Sequence, residues 1–249
     1  MDAGTALRTA RLVVDAPGDR VLEIGAGTGA LTAALVRVGA ATTALDVDAA
    51  LLEVLRARRE LASVALVHGD ALTFDYAAWA GGRPWRVAGN LPYNVATPLL
   101  IALAGLADPP ERIVAMIQKD VAERLLARPG SAAYGSLTLA IAQSMRAERA
   151  FNVPPGAFFP RPKVVSSVVV LRRLAVPAIP HDRRARFEQV VRAAFAYRRK
   201  TLANSLALAL DLPRERIAAA IAALDLPPAV RGEALDLRTF AALADALAG

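Results

Sequence analysis

The stretch R-V-L-E-I-G-A-G-T-G-A-L-T, Arg20 to Thr32, decides how the rest of the chain is read. Arg20–Ile24 is a short, mostly apolar run. Gly18-Asp19 stands before it and a glycine triplet after it, which is the pattern of a buried strand. Gly25, Gly27 and Gly29 let the backbone turn sharply and approach a ligand closely before a helix predicted from Ala30 to about Val38. The plainer reading is a tight turn with no ligand.

Working outward, the same alternation repeats. Strands are predicted at Ala41–Asp46, Ser63–Val67, Trp85–Ala88 and Arg112–Gln118. Helices are predicted from Asp48 to about Arg59, through T-P-L-L-I-A-L-A, and from the fifth strand through Leu126. Short apolar strands alternating with helices give an α/β fold, a mostly parallel sheet covered on both faces. After a helix at about Gly135–Ser144, R-A-F-N-V and V-S-S-V-V-V-L-R read as a hairpin pair closing the sheet edge, joined by the proline-rich P-P-G-A-F-F-P-R-P-K. Ala175–Asp182 reads as a linker. Beyond it the period is helical: Arg183–Tyr197, Arg199–Leu210, Arg214–Ala223 and Leu237–Leu247. The expected division is therefore 1–173 for the α/β domain and 174–249 for a small all-helical domain.

Composition narrows the classes. At 249 residues and 55% apolar, a sizeable core is available. The chain has no cysteine, which excludes a disulfide scaffold and thiol catalysis and suits a reducing cytoplasm. Two histidines, His68 and His181, make a zinc site improbable, and no metal is expected. No apolar run reaches the ~18 residues of a membrane span, and M-D-A-G-T-A-L-R-T-A-R-L-V-V is not a signal peptide. Net charge is +7, and Arg183–Lys200 holds seven basic residues against the single acid Glu188. Such a run is either a solvated helix face or a phosphate-binding surface.

Chemistry gathers at successive strand ends, where ligands of parallel sheets bind. The glycine spacing is G-x-G-x-G rather than the G-x-G-x-x-G of pyrophosphate cradles, which favours a nucleoside cofactor without pyrophosphate, such as S-adenosylmethionine. Asp46 ends the second strand and is placed to take ribose hydroxyls, with a helix cap as the alternative; Asp48 is better placed as that cap. Asp70 ends the third strand, where its carboxylate and the Ala71 N–H match the edge of an adenine. G-N-L-P-Y, Gly89–Tyr93, ends the fourth. An exocyclic adenine amine must pyramidalise to attack a methyl group. The Asn90 side-chain carbonyl and the Leu91 backbone carbonyl are two acceptors suited to its two N–H bonds. Pro92 stiffens the turn, and Tyr93 offers a ring for a flipped base. Trp85 and His68 read as structural.

These segments resemble the small-subunit ribosomal RNA adenine N6,N6-dimethyltransferases, a family of class I S-adenosylmethionine methyltransferases with a Rossmann-like sheet. V-L-E-I-G-A-G-T-G-A-L-T is similar to the family's first cofactor motif and G-N-L-P-Y-N-V-A-T-P-L to its catalytic motif. Q-K-D-V-A-E-R-L, F-F-P-R-P-K-V-V-S-S-V-V and F-A-Y-R-R-K-T-L-A-N-S-L are similar to later segments. The resemblance implies dimethylation of N6 on two adjacent adenines in a hairpin near the 3′ end of small-subunit ribosomal RNA. It implies cofactor contacts from Glu23, Gly25, Gly27, Gly29, Asp46, Asp70, Ala71 and Asn90. Asn90, Leu91, Pro92 and Tyr93 would present the target base and Phe158 would stack on it, with Phe159 read as core. The RNA contacts implied are Arg183, Arg184, Arg186, Arg192, Arg198, Arg199 and Lys200. The expected setting is a cytoplasmic monomer acting on the small subunit or its precursor, with no membrane partner. The chain departs from the family in two ways. Asp46 stands where Glu is commoner, and M-D-A-G-T-A-L-R lacks the G-Q-N-F-L-like motif that covers the cofactor, so a more open site is expected. That second departure motivates an alternative, an RNA-binding assembly factor with weak or no catalysis.

Overall fold

The computed structural model describes residues 1–92 and 94–248. The chain forms two compact units, residues 1–122 with 146–173 and residues 123–145 with 174–249. The first holds a seven-stranded sheet: β1 (Arg20–Ile24), β2 (Ala41–Asp46), β3 (Ala65–His68), β4 (Arg86–Asn90), β5 (Arg112–Gln118), β6 (Met145–Val153) and β7 (Ser166–Arg173). Their order is β3-β2-β1-β4-β5-β7-β6. β1 through β5 pair in parallel, and β7 runs antiparallel to β5 from Arg112↔Arg172 to Gln118↔Ser166. This is the expected Rossmann-like sheet with its antiparallel edge. β1, β4 and β5 read as near-continuous apolar runs because both of their faces are covered.

The chain moves outward from β1 to β2 and β3, then crosses back to β4. Between β1 and β4 the winding reverses, and a crevice opens at the carboxyl ends of the strands. Gly89 permits this junction: a Cβ there would lie 2.7 Å from the Ile24 carbonyl oxygen, closer than real side chains come. In the loop after β1, Gly25, Gly27 and Gly29 all have positive φ, at 73°, 55° and 84°.

Helices α2 (Ala30–Arg37), α3 (Ala49–Arg56), α4 (Tyr76–Ala80), α5 (Ala96–Gly105) and α6 (Lys119–Leu125) follow the strands. Asp48 caps α3 by accepting from the Ala50 and Leu51 N–H groups. That helix stops three residues before the expected end, and a 3-10 turn at Arg59–Leu61 replaces its last turn. The strand expected at Ser63–Val67 is shifted to Ala65–His68.

Helix α1 (Ala3–Val13) is absent from the sequence reading. Its buried face is Ala6, Thr9, Ala10 and Val13, too weakly apolar to stand out by hydropathy. Charge fixes its far end. The Arg86 and Arg112 guanidinium groups donate to the Val13 and Leu12 carbonyls, which lie in the last turn of the helix, at 2.8 and 3.0 Å. The same two arginines pair with Asp15 and Asp19. Cationic groups at a helix carboxyl end complement its dipole as well as its unpaired carbonyls.

The second unit contains α7 (Ser136–Ala142), α8 (His181–Phe195), α9 (Leu202–Ala209), α10 (Arg214–Ala222) and α11 (Leu237–Ala246). Phe187, Val190, Leu202, Leu206, Phe240 and Leu243 are core residues. Residues 123–145, which a linear cut at 173 assigns to the α/β domain, belong here because Tyr134 and Leu139 are buried in this core. The Tyr134 hydroxyl donates to the Leu235 carbonyl at 2.9 Å, and burial pushes its pKa up to about 12, with Asp236 adding to the rise. Arg184 requires a correction. It is only 6% exposed, and burial lowers its pKa, so it is not a surface phosphate contact. Three positions before Phe187, it shares the buried face of α8 with that residue.

Candidate active site

Two cavities of about 440 Å³ each open at the carboxyl ends of β1 and β4, and both are lined by Gly25, Gly27, Asn90 and Pro92. One extends over the ends of β2 and β3, where Asp46, Val47, Asp70, Ala71 and Leu72 line it. The other extends past Glu23 toward Phe158, Phe159, Pro160 and Pro162.

On the first side the carboxylates are locked. Asp46 is 7% exposed, and its two oxygens accept from the Gly27 N–H at 2.9 Å and the Asp48 N–H at 3.0 Å. A carboxylate has capacity for about four donors, so room remains for a ligand's hydroxyl groups. The same bond to Gly27 fixes the glycine loop. Asp70 accepts from the Leu72 N–H at 2.9 Å through Oδ1, and among the described residues nothing donates to Oδ2. The Ala71 carbonyl takes the Tyr76 hydroxyl at 2.5 Å, while its N–H donates to none of the described residues. Val47 is 69% exposed and Leu72 43%, so two apolar side chains stand at the mouth of this cavity. Neither was singled out from sequence. The signal was there in each case, an apolar residue at or just past an acidic strand end.

On the second side the polar groups are not satisfied. Glu23 is buried, and its Oε2 has no partner among the described residues. Burial raises its pKa to about 8; the Asp46 carboxylate adds to the rise and Thr32 offsets part of it. A buried carboxyl with an open lone pair, facing a cavity, is complementary to a ligand's cationic group. The residues present therefore fit a ligand that combines a nucleoside with a positively charged amino-acid portion.

Asn90 stands where the two cavities share a wall. Its side chain is exposed and makes no hydrogen bond to any described residue. Leu91 is anchored: its side chain is 1% exposed and its N–H donates to the Met116 carbonyl at 3.0 Å. Nothing among the described residues donates to its carbonyl. The Pro92 carbonyl accepts from the Val95 and Ala96 N–H groups and so opens α5. Tyr93 lies outside the described residues. Phe158 packs against the buried cluster that includes Val153 and Val168, while Phe159, expected in the core, is 97% exposed.

Gly29 lines neither cavity. A Cβ there would stand 2.5 Å from Leu55 Cδ2 and 2.8 Å from Arg58 Nη1, so its work is to bring α2 close to α3. Trp85 is buried and stacks on Tyr76, with ring centroids 5.7 Å apart, and His68 Nε2 bonds the Val47 carbonyl at 3.0 Å. In the helical unit the basic run is largely engaged. Arg183 pairs with Asp245 at 3.0 Å, Arg186 bonds Gln189 and the Leu247 carbonyl, and Arg192 pairs with Glu188 at 3.4 Å. Arg198 donates to the Ala132 carbonyl at 2.6 Å. Arg199 and Lys200 are exposed and carry no such pairing among the described residues.

The family model described as ribosomal RNA adenine dimethylase matches residues 5–226. The chain is 42% identical over 248 residues to ribosomal RNA small subunit methyltransferase A of Magnetococcus marinus, covering 98% of this chain and 88% of that protein. It is 43% identical over 249 residues to the protein of the same name from Pseudomonas aeruginosa, covering 99% and 91%. Among solved structures, a dimethyladenosine transferase from Plasmodium falciparum superposes with a TM-score of 0.80 at 24% identity, covering 96% of this chain and 94% of that one. The 23S rRNA methyltransferase ErmE superposes at 0.73, also at 24% identity, covering 100% and 99%. These two share the fold. The names of the relatives give no support to a catalytically silent assembly factor.

Proposed function

The chain belongs to the ribosomal RNA adenine dimethylase family, and from that premise we propose that it uses S-adenosylmethionine to dimethylate N6 of two adjacent adenines in a hairpin near the 3′ end of small-subunit ribosomal RNA. It acts in the cytoplasm as a monomer on the small subunit or its precursor. When bound, the cofactor supplies an electrophilic methyl group on a sulfonium. Among the described residues no helix is long and apolar enough to cross a membrane.

The observation that carries this reading is Asn90, an unbonded amide on the wall shared by two cavities. Asp46 and Asp70 hold the ribose and the adenine edge of the cofactor, between Val47 and Leu72. Glu23 takes the charge of its amino-acid portion. Asn90 and the Leu91 carbonyl would accept the two N–H bonds of the target amine and so favour the pyramidal nitrogen that attack on a methyl group requires. Phe158, supported from behind by the core, stacks on the extruded base. Transfer of a methyl group to the neutral amine would leave a cationic nitrogen that is strongly acidic and gives its proton to water, so no strong base is needed; fixed acceptors and alignment supply the rate. Arg199 and Lys200, exposed and outside the pairings of the basic run, bind RNA phosphates.

The test is Asn90→Ala, assayed for methyl incorporation into small subunits from cells lacking the modification. Removal of one preorganised polar group at a reacting atom is expected to lower the rate about 100- to 1000-fold, with cofactor affinity measured by calorimetry changing much less. Undiminished incorporation defeats the assignment.

A further inference from the structure

The loop between β6 and β7 carries two adjacent aromatic rings with opposite surroundings. Phe158 rests on the core of the sheet unit, whereas Phe159 is 97% exposed and yet lines the same cavity as Glu23, Asn90 and Phe158. Leaving a phenylalanine ring in water forgoes one of the larger burial gains a side chain offers. Its surroundings indicate what would cover it. Arg161 and Lys163 follow at alternate positions, both exposed. Prolines 160 and 162 separate them and stiffen the segment. From Pro154 to Val165 the sequence holds no acidic residue. Asp2 meets this loop only through its backbone N–H, which donates to the Ala157 carbonyl at 2.7 Å. The Asp2 carboxylate is turned into its own helix cap, on the Thr5 N–H and hydroxyl. Glu23, the acid that lines the same cavity, is buried, so an exposed ring in a segment with cations and no acid of its own is complementary to a single-stranded nucleotide, with its flat base and anionic backbone.

We propose that Phe159 is a stacking platform for the nucleotide next to the extruded adenine, and that Arg161 and Lys163 take the phosphates on either side of it. The inference rests on the function proposed above and extends it. Phe158 holds the base that reacts, and Phe159 holds its neighbour. Because two adjacent adenines are modified, the neighbour is itself a target, and the platform would keep the strand in place while each in turn enters the site. Phe159 is a positioning residue, since it acts through the strand and not on the reacting nitrogen.

The experiment compares Phe159→Ala, Phe159→Leu and Phe159→Trp with the unaltered protein. A hairpin RNA carrying 2-aminopurine beside the target adenine reports stacking by fluorescence quenching. Methyl incorporation into unmethylated small subunits separates KM from kcat. The unaltered protein and Phe159→Trp are expected to quench the probe. Phe159→Ala and Phe159→Leu should quench little and raise the RNA KM about tenfold, the scale of one lost base–aromatic stack, with kcat and cofactor affinity nearly unchanged. Arg161→Ala and Lys163→Ala should each reduce the salt dependence of RNA binding by about one unit of slope. Equal quenching and equal KM in Phe159→Ala, or full function in Phe159→Leu, overturns the platform. Should the unaltered protein quench the probe yet transfer no methyl group to small subunits, the proposed reaction fails and the platform stands.

Discussion

The two cavities on either side of Asn90 are built on opposite principles. Over β2 and β3 the carboxylates are already bonded: Asp46 holds the Gly27 and Asp48 N–H groups, and Asp70 holds the Leu72 N–H. Past β1 the polar and aromatic groups are left open, with Glu23 Oε2 unpaired in the interior, the Asn90 amide unbonded and Phe159 in water. The first side is a rigid receptor whose recognition groups also stabilise the loops that carry them. The second stores its interactions until ligands arrive. A site that must hold one reactant tightly and admit another in a strained geometry gains from this division, because preorganisation costs least where the ligand does not change during reaction.

The largest effect should come from Asp46→Ala. That change removes a ligand acceptor and also frees the Gly27 and Asp48 N–H groups, so cofactor affinity is expected to fall about a hundredfold and stability with it. Calorimetry and denaturant unfolding together read this. A loss of affinity with stability untouched would break the claim that recognition and loop stability share one group.

Glu23→Gln should separate the two sides by sign. In the ligand-free fold the Glu23 carboxyl stays neutral up to about pH 8, while in the unfolded chain it ionises near its ordinary value of 4.5. The unfolded state therefore holds fewer protons across that window, and the carboxyl costs the fold stability progressively as pH rises from 4.5 to about 8, levelling off above. Replacing it with the neutral amide removes that cost. Glu23→Gln should be more stable than the unaltered protein at pH 8.5, by up to about 5 kcal/mol, with the two nearly equal at pH 4.5, and it should bind the cofactor more weakly. Parallel stability curves for the two proteins would remove the open-side description of Glu23.

Asp70→Asn should give the smallest change. The amide oxygen can still accept from Leu72, so the turn and the stability survive. An N–H₂ group then faces the adenine amine in place of Oδ2, and cofactor affinity is expected to fall about tenfold. A drop in stability of more than about 1 kcal/mol would show that Oδ2 has a structural partner and that the receptor is more tightly locked than described.

Much of this site was legible in the chain because its parts lie at strand ends. The Arg20–Ile24 run, the glycine triplet and the acids Asp46 and Asp70 each announce themselves locally, and a parallel sheet must bring consecutive carboxyl ends to one edge. What escaped notice depended on distant neighbours. Helix α1 is held by arginines of β4 and β5, which no local pattern connects to it. Tyr134 falls inside the 1–173 division until its hydroxyl is seen bonded to Leu235, 101 positions away. In the basic run, Arg184 and Arg199 look alike in sequence, but one is 6% exposed and the other is on the surface, since Arg184 lies on the buried face of α8 and Arg199 in the turn that follows that helix.

The sequence by itself determined the alternation of strands and helices, the order of the chemical groups along the crevice, and the family to which the chain belongs. These follow from local pattern and from the fixed handedness of parallel crossovers. Only the tertiary structure decided which of those groups are already satisfied and which are held open, which of two adjacent phenylalanines packs and which stands free, and which arginines remain available for a polyanion. Burial and hydrogen-bond partnership are properties of the whole assembly of elements, and a residue's type does not carry them.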